Sequence, residues 1–234
     1  MRVQDQPAYI LHHRAFRDTS QILDVITRDH GRLSLMSRGS RGAKSRLKSI
    51  LQPFTPLIVA WSGKGEMPSL TAAETQTVKA ISLSGKALPS AFYINELLMK
   101  LLHKHDVYEE IYNLYESVMQ LLSAGHEIEP VLRLFEKQLL EALGFGLNLQ
   151  VNADTGLPVE ASQEYAYYLE HGPVEISTVH DDAFVTRLSG ESLIALDLNN
   201  LNTKQSLKDA KRLMRSILHY YLDGKPIKSR ELFR

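Results

Sequence analysis

The spacing of apolar residues changes near residue 80, and this change constrains the fold of the 234-residue chain more than any other feature. Before it, short apolar runs with a period of two alternate with turns that contain glycine and proline, which is typical of strands. After it, apolar residues recur every three to four positions, which indicates helices. The sequence therefore predicts an α+β protein, with a small β-domain over 1–80 and a mostly helical domain over 81–234.

Five short strands are predicted in the β-domain, and this number favours a small barrel or sandwich. The predicted strands cover residues 8–12, 20–27, 32–37, 57–61 and 68–77. The second and third flank the turn signal RDHG at 28–31, which predicts a hairpin. A basic loop with two glycines follows at 38–46.

Helical periodicity dominates the rest of the chain. The predicted helices cover residues 90–103, 108–122, 129–143, 190–198 and 204–222. Ser90 is predicted to cap the first of them, and Thr203 precedes the last. The segment 147–187 is weakly patterned and is predicted to be irregular.

The net charge of zero conceals two basic ends around an acidic middle. Residues 1–50 contain ten lysines and arginines against four acidic residues, and residues 204–234 contain nine against three. Each end therefore has a net charge of +6, and residues 51–203 have −12. Because local fields attract a polyanion more than the total charge does, this distribution indicates a surface for nucleic acid.

Several classes of chemistry find no support in the sequence. There is no cysteine, so no disulfide or thiolate metal site can form. No Walker loop, HExxH or GxSxG motif is present, and no pair of nucleophile and base stands out. His180-Asp181-Asp182 is better interpreted as a polar turn than as a metal site. We therefore expect no catalytic residues, no metal and no cofactor. With neither a signal peptide nor a membrane span in the pattern, we expect a cytoplasmic protein.

Six segments, in this order and at these separations, are similar to one known family. They are YILH at 9–12, TRDHGR at 27–32, SRLKSILQPFTPL at 45–57, NELL at 95–98, FEKQLLEALGFG at 135–146 and KSRELF at 228–233. On these segments the chain resembles the RecO family of DNA repair and recombination mediator proteins over nearly its whole length.

The resemblance implies an N-terminal OB-fold barrel, a helical domain and a C-terminal helical tail. It implies binding to single- and double-stranded DNA and annealing of complementary strands at the nucleoid. It also implies contact with the C-terminal tail of single-stranded DNA-binding protein (SSB), and cooperation with RecR to load RecA. Many members have a four-cysteine zinc module after the segment matching 145–147. Here 147–175 is a cysteine-free remnant, which either folds without metal or is partly disordered.

The basic residues near the N-terminus are the main candidates for DNA binding, because phosphates require cationic donors along a track. They are Arg14, Arg17, Arg32, Arg38, Arg41, Lys44, Arg46 and Lys48. The alternative is a solvated surface with unrelated charges. Phe16, between two arginines, is the preferred residue for stacking on bases. Core packing is the preferred interpretation of Phe54 and Trp61.

Two further sets come from the helical domain. Lys208, Lys211 and Arg215, with Lys204 before them, share one face of the last predicted helix and are candidates for a second DNA contact. A solvated helix face is the alternative. The predicted receptor for the SSB tail, which needs an apolar pocket beside a cation, consists of Arg133, Lys137, Leu139 and Phe145. The alternative for its apolar members is the core of a helix bundle.

Three other functions compete with DNA annealing. An RNA-binding OB-fold protein would share the basic track but prefer RNA through the 2′-hydroxyl. A protein–protein adaptor would not need the basic loop. A metal-dependent hydrolase ranks last, since no constellation of residues supports it.

Overall fold

The computed structural model describes residues 2–76, 81–176 and 185–233, which form two compact units. The barrel unit comprises Met1–Gly125 and Ile227–Arg234, and the helical unit comprises His126–Pro226. The predicted domain boundary at residue 80 lies outside the described residues and stays a prediction. Among the described residues, no helix combines the length and apolar character needed to cross a membrane.

Five strands close the barrel of the first unit. They are β1 (Arg2–Phe16), β2 (Ser20–Thr27), β3 (Gly31–Ser37), β4 (Leu57–Ser62) and β5 (Ser69–Thr75). Their order is β1-β2-β3-β5-β4, and β4 pairs back onto β1. Only β3 and β5 are parallel, through Met36 and Ser69. This is the five-stranded OB-fold barrel, so the predicted fold class is confirmed.

The interior of the barrel is apolar, as the alternating pattern predicts. In β4, Leu57, Val59 and Trp61 are buried while the residues between them are partly exposed. The hairpin of β2 and β3 is confirmed, with Thr27 opposite Gly31 at the turn. Trp61 is 4% exposed and lies in the core cluster, so the prediction of core packing is confirmed for this residue.

Six α-helices are described. They are α1 (Leu47–Ile50), α2 (Ala87–Leu101), α3 (Glu109–Ser123), α4 (Ile128–Ala142), α5 (Gly190–Asp197) and α6 (Lys204–Tyr221). The predicted cap at Ser90 is wrong: α2 begins three residues earlier, and the Ser90 hydroxyl donates to the Lys86 carbonyl at 2.8 Å. Thr203 does cap α6, in a reciprocal capping box with Ser206.

The prediction that 147–187 is irregular is wrong for part of this segment. It contains β6 (Glu164–Tyr168), β7 (Gly172–Glu175) and the first residues of β8 (Thr186–Ser189), and these strands form an antiparallel sheet in the order β7-β6-β8. Tyr165, Ala166 and Tyr167 are buried in succession, so β6 lacks the alternation that marks a half-buried strand. The cysteine-free remnant is therefore a folded part of the helical unit over its described residues.

Candidate nucleic-acid interface

One end of the barrel brings two basic segments together. The β1–β2 turn and the loop after β3 leave the barrel at the same end, because Gln21 pairs with Ser37. The Arg41 amide donates to the Thr19 carbonyl at 2.8 Å, and its guanidinium donates to the Arg17 carbonyl at 3.3 Å. The basic loop is therefore fastened to the turn.

The local sequence explains how the loop exposes its cations. Ser40 is buried, and its hydroxyl donates to the Ser37 carbonyl at 3.2 Å. Gly39 has a φ of 67°, a left-handed conformation that suits glycine, and its carbonyl accepts the Gly42 amide at 3.1 Å. A small buried residue thus anchors the loop, while the arginines at 38 and 41 extend into solvent.

Seven exposed basic side chains form what we call the basic rim. They are Arg14, Arg17, Arg38, Arg41, Lys44, Arg46 and Lys48. None of the seven makes an ion pair with a carboxylate within the described parts of the chain. Asp18 is the one acidic residue within 16–20 and 38–48. These cations are therefore available to phosphates, and releasing counterions from the nucleic acid would favour binding.

Arg32, the eighth predicted residue, is not part of the rim. It is half-buried on β3, where its Nε donates to the Leu102 carbonyl at 3.0 Å and Nη1 lies 3.9 Å from Met99 Sδ. Burial lowers the pKa of Arg32 below its ordinary value, with the nearby Asp24 carboxylate acting in the opposite direction. In this position Arg32 holds the segment after α2 against the barrel.

The aromatic candidates differ in burial, as the sequence predicts. Phe16 is partly exposed in the rim, with the Arg17 guanidinium 5.3 Å from its ring centroid. Phe54 is 8% exposed and packs edge-on against Phe92 at 5.0 Å, so core packing is confirmed for it as well. Of the three candidates, Phe16 thus lies among the cations of the basic rim.

The basic face of α6 is partly occupied by carboxylates. Lys211 pairs with Glu129 at 2.7 Å, and both side chains are exposed. Lys204, Lys208 and Arg215 are exposed and make no ion pair with another described residue. An exposed pair of this kind contributes little stability, so Glu129 holds Lys211 only weakly.

Three of the four predicted residues of the SSB-tail receptor lie inside the helical unit. Arg133 is 8% exposed, and its Nη2 donates to Glu136 Oε1 at 2.7 Å. The Lys137 ammonium donates to the Asp197 carbonyl at 3.0 Å, at the end of α5, and Leu139 is fully buried. Only Phe145 is exposed, and its ring stacks on that of Tyr221 with centroids 4.1 Å apart. The structure does not bring the four side chains together at one open surface.

Sequence reasoning missed a cavity of about 380 Å³ in the barrel unit. We call it the Trp61 cavity. Its lining includes His30, Leu33, Trp61, Lys64, His105 and Val107. These residues come from the β2–β3 hairpin, from β4 and the turn after it, and from the segment that joins α2 to α3. Because these segments are far apart in sequence, no local pattern predicted the cavity.

No metal site is evident in the described residues. Within 2–76, 81–176 and 185–233, no three histidine or acidic side chains are grouped closely enough to hold an ion. His180-Asp181-Asp182, interpreted above as a polar turn, lies outside the described residues.

Comparison with known proteins gives consistent matches along the chain. The family model "Recombination protein O N terminal" matches residues 1–78, and "Recombination protein O C terminal" matches residues 83–231. A DNA repair protein RecO from Methylococcus capsulatus is 41% identical over 233 residues, covering 100% of this chain and 94% of the relative. The protein of that name from Dechloromonas aromatica is 40% identical over 236 residues, covering 100% and 96%. One from Actinobacillus pleuropneumoniae serotype 5b is 39% identical over 227 residues, covering 97% and 92%.

Proposed function

The chain belongs to the RecO family of DNA repair proteins, and from this premise we propose that it binds single- and double-stranded DNA and anneals complementary strands without catalytic turnover. The observation that carries the proposal is the basic rim, seven exposed cations on β1, the β1–β2 turn, and the loop and short helix that follow β3 in an OB-fold barrel. OB-fold proteins bind single strands by combining such a cationic track with aromatic stacking, which Phe16 would provide here.

The proposed mechanism of annealing is neutralisation of the phosphate charges on the two strands. Two complementary strands repel each other through their phosphates, and neutralisation by the rim lowers that repulsion when both are bound. Base pairing is itself downhill, so the reaction needs no nucleotide hydrolysis. The face of α6 formed by Lys204, Lys208, Lys211 and Arg215 is our candidate for the contact with the second strand.

We also propose that the C-terminal tail of SSB docks on the helical unit. Such a tail ends in an apolar residue and a carboxylate, and of the four predicted receptor residues Phe145 offers it an exposed ring. Arg133 is buried against Glu136, so it would support this surface electrostatically and not touch the tail directly. Lys137 and Leu139 would support this receptor from within. Action at the nucleoid in the cytoplasm, and cooperation with RecR in loading RecA, are proposed on family membership alone.

Annealing of SSB-coated strands tests the proposal. Two complementary oligonucleotides are coated with the cognate SSB, either full-length or lacking its C-terminal tail, and duplex formation is followed by fluorescence. We expect annealing to be faster with full-length SSB, by about tenfold, because docking raises the local concentration of the protein at the strands.

Three other results would contradict parts of this proposal. Equal acceleration with both forms of SSB would retain annealing and contradict the tail receptor. No acceleration with either form would contradict annealing as the function and favour the adaptor. Competition in which an RNA oligomer displaces the protein better than DNA of the same sequence would favour the RNA-binding alternative.

A further inference from the structure

The Trp61 cavity has an apolar floor and a rigid wall. Trp61 is buried, and the His30 ring lies edge-on to it with centroids 5.2 Å apart at 81°. The wall is the segment after α2, which pairs with β3 through the His105 amide and the Arg32 carbonyl at 2.8 Å. Gly31 permits this close approach, since a Cβ there would lie 1.9 Å from the Asp106 carbonyl oxygen. The cavity is therefore held open by backbone contacts of the barrel unit.

The mouth of the cavity is cationic and partly apolar. Lys64 is exposed and has no ion pair with any other described residue. His105 and Val107 also line the cavity, His105 is exposed, and Val107 is 55% exposed. A flat aromatic ring attached to an anion matches this arrangement, because the ring covers apolar and imidazole surfaces while the anion contacts the ammonium.

We propose that the Trp61 cavity holds one unstacked nucleobase of a bound single strand, and that Lys64 contacts the phosphate of that nucleotide. This assignment rests on the proposed function. The volume of about 380 Å³ suits a single base and its sugar rather than a stack. Because a base in a duplex is paired and stacked, the cavity favours single-stranded over double-stranded DNA.

The cavity lies within reach of a strand on the basic rim. The Met36 amide donates to the carbonyl of Pro68, a lining residue, at 2.9 Å. Along β3, Leu33 in the cavity and Arg38 in the rim are five residues apart, a distance of roughly 16 Å for an extended strand. OB-folds bind about 4–16 nucleotides, so one strand spans both sites.

The test compares two 15-nucleotide oligomers with the same phosphates, oligothymidylate and a fully abasic strand. Wild-type protein is expected to bind the first about tenfold more tightly, since stacking on protein rings favours a base. His30→Ala and Val107→Glu, which remove a ring and place a carboxylate in the cavity, are expected to reduce this preference by about fivefold. The affinity of His30→Ala for the abasic strand should change much less, whereas the carboxylate of Val107→Glu should also weaken the abasic strand through its phosphates.

Matched variants separate the cavity from other effects. Val107→Thr keeps the side-chain shape and should retain the preference, whereas Phe16→Ala should reduce it independently of His30→Ala. The logarithm of the binding constant falls linearly with the logarithm of the salt concentration, and we call the magnitude of this slope the salt slope. Lys64→Ala should lower the salt slope for single strands by about 0.7, and Lys64→Arg should restore it. Unfolding midpoints of all variants, measured in urea, identify any loss of folding.

The outcomes distinguish the cavity from the function it rests on. Suppose that His30→Ala and Val107→Glu both keep the full preference for the oligothymidylate and still bind in a salt-dependent way. This result would overturn the cavity assignment and leave the proposed function intact. Failure of wild-type protein to bind either oligomer in a salt-dependent way would overturn the proposed function and the cavity with it.

Discussion

Removing four cations from the basic rim is expected to weaken binding of single-stranded DNA by on the order of 100-fold at about 100 mM salt. The variant combines Arg38→Gln, Arg41→Gln, Lys44→Gln and Arg46→Gln. Each lost phosphate contact lowers the salt slope for a single strand by about 0.7, so the four together should lower it by about 3. Fluorescence anisotropy of a labelled oligomer across a salt series measures both quantities.

A control variant with the same change in net charge decides whether position or total charge matters. It carries glutamine at four exposed basic positions outside the rim, Lys86, Arg187, Lys225 and Lys228. We expect its affinity to remain within about threefold of wild type, because none of the four positions belongs to the rim and salt screens exposed charges that do not contact the strand. An equal loss in the rim variant and the control would argue against a local DNA site.

Replacing Arg133 by methionine is expected to destabilise the protein by about 3–5 kcal/mol. The change removes the guanidinium that neutralises the Glu136 carboxylate, which is 0% exposed in the helical unit. A buried charge that loses its counter-charge carries most of its desolvation penalty, so breaking one side of the pair is costly. Urea unfolding followed by circular dichroism measures the effect.

The double variant Arg133→Met with Glu136→Leu is the control for this prediction. Because it removes both charges, it should recover most of the stability lost in the single variant. A single variant within about 1 kcal/mol of wild type would contradict the burial of this ion pair. The same comparison serves the SSB-tail experiment, since an Arg133 variant informs on docking only when it is folded.

The barrel was largely predictable because its signals are local. The RDHG turn joins two runs of β-forming residues, and β4 alternates between buried and partly exposed positions. The α6 helix has its cap in the sequence at Thr203. Ser90 illustrates the limit of such signals, since a serine also fits the first turn of a helix when its hydroxyl bonds a backbone carbonyl.

The remaining features depend on contacts between distant residues. Lys137 is buried because it reaches a carbonyl 60 residues away at Asp197, and no local pattern distinguishes it from a solvated lysine. Arg32 likewise matched the basic track in sequence but bonds the Leu102 carbonyl, 70 residues away. Which cations of the candidate site are exposed was therefore a property of the tertiary structure.

Lysine footprinting tests most directly whether the basic rim is where DNA binds. The protein is acetylated with and without a saturating single-stranded oligomer, and modified lysines are quantified by mass spectrometry. We expect Lys44 and Lys48 to be protected, while the exposed Lys86 and Lys225 react equally in both samples. The opposite result would be unchanged reactivity at Lys44 and Lys48 with protection at Lys86 or Lys225. It would contradict the basic rim as the DNA-binding surface.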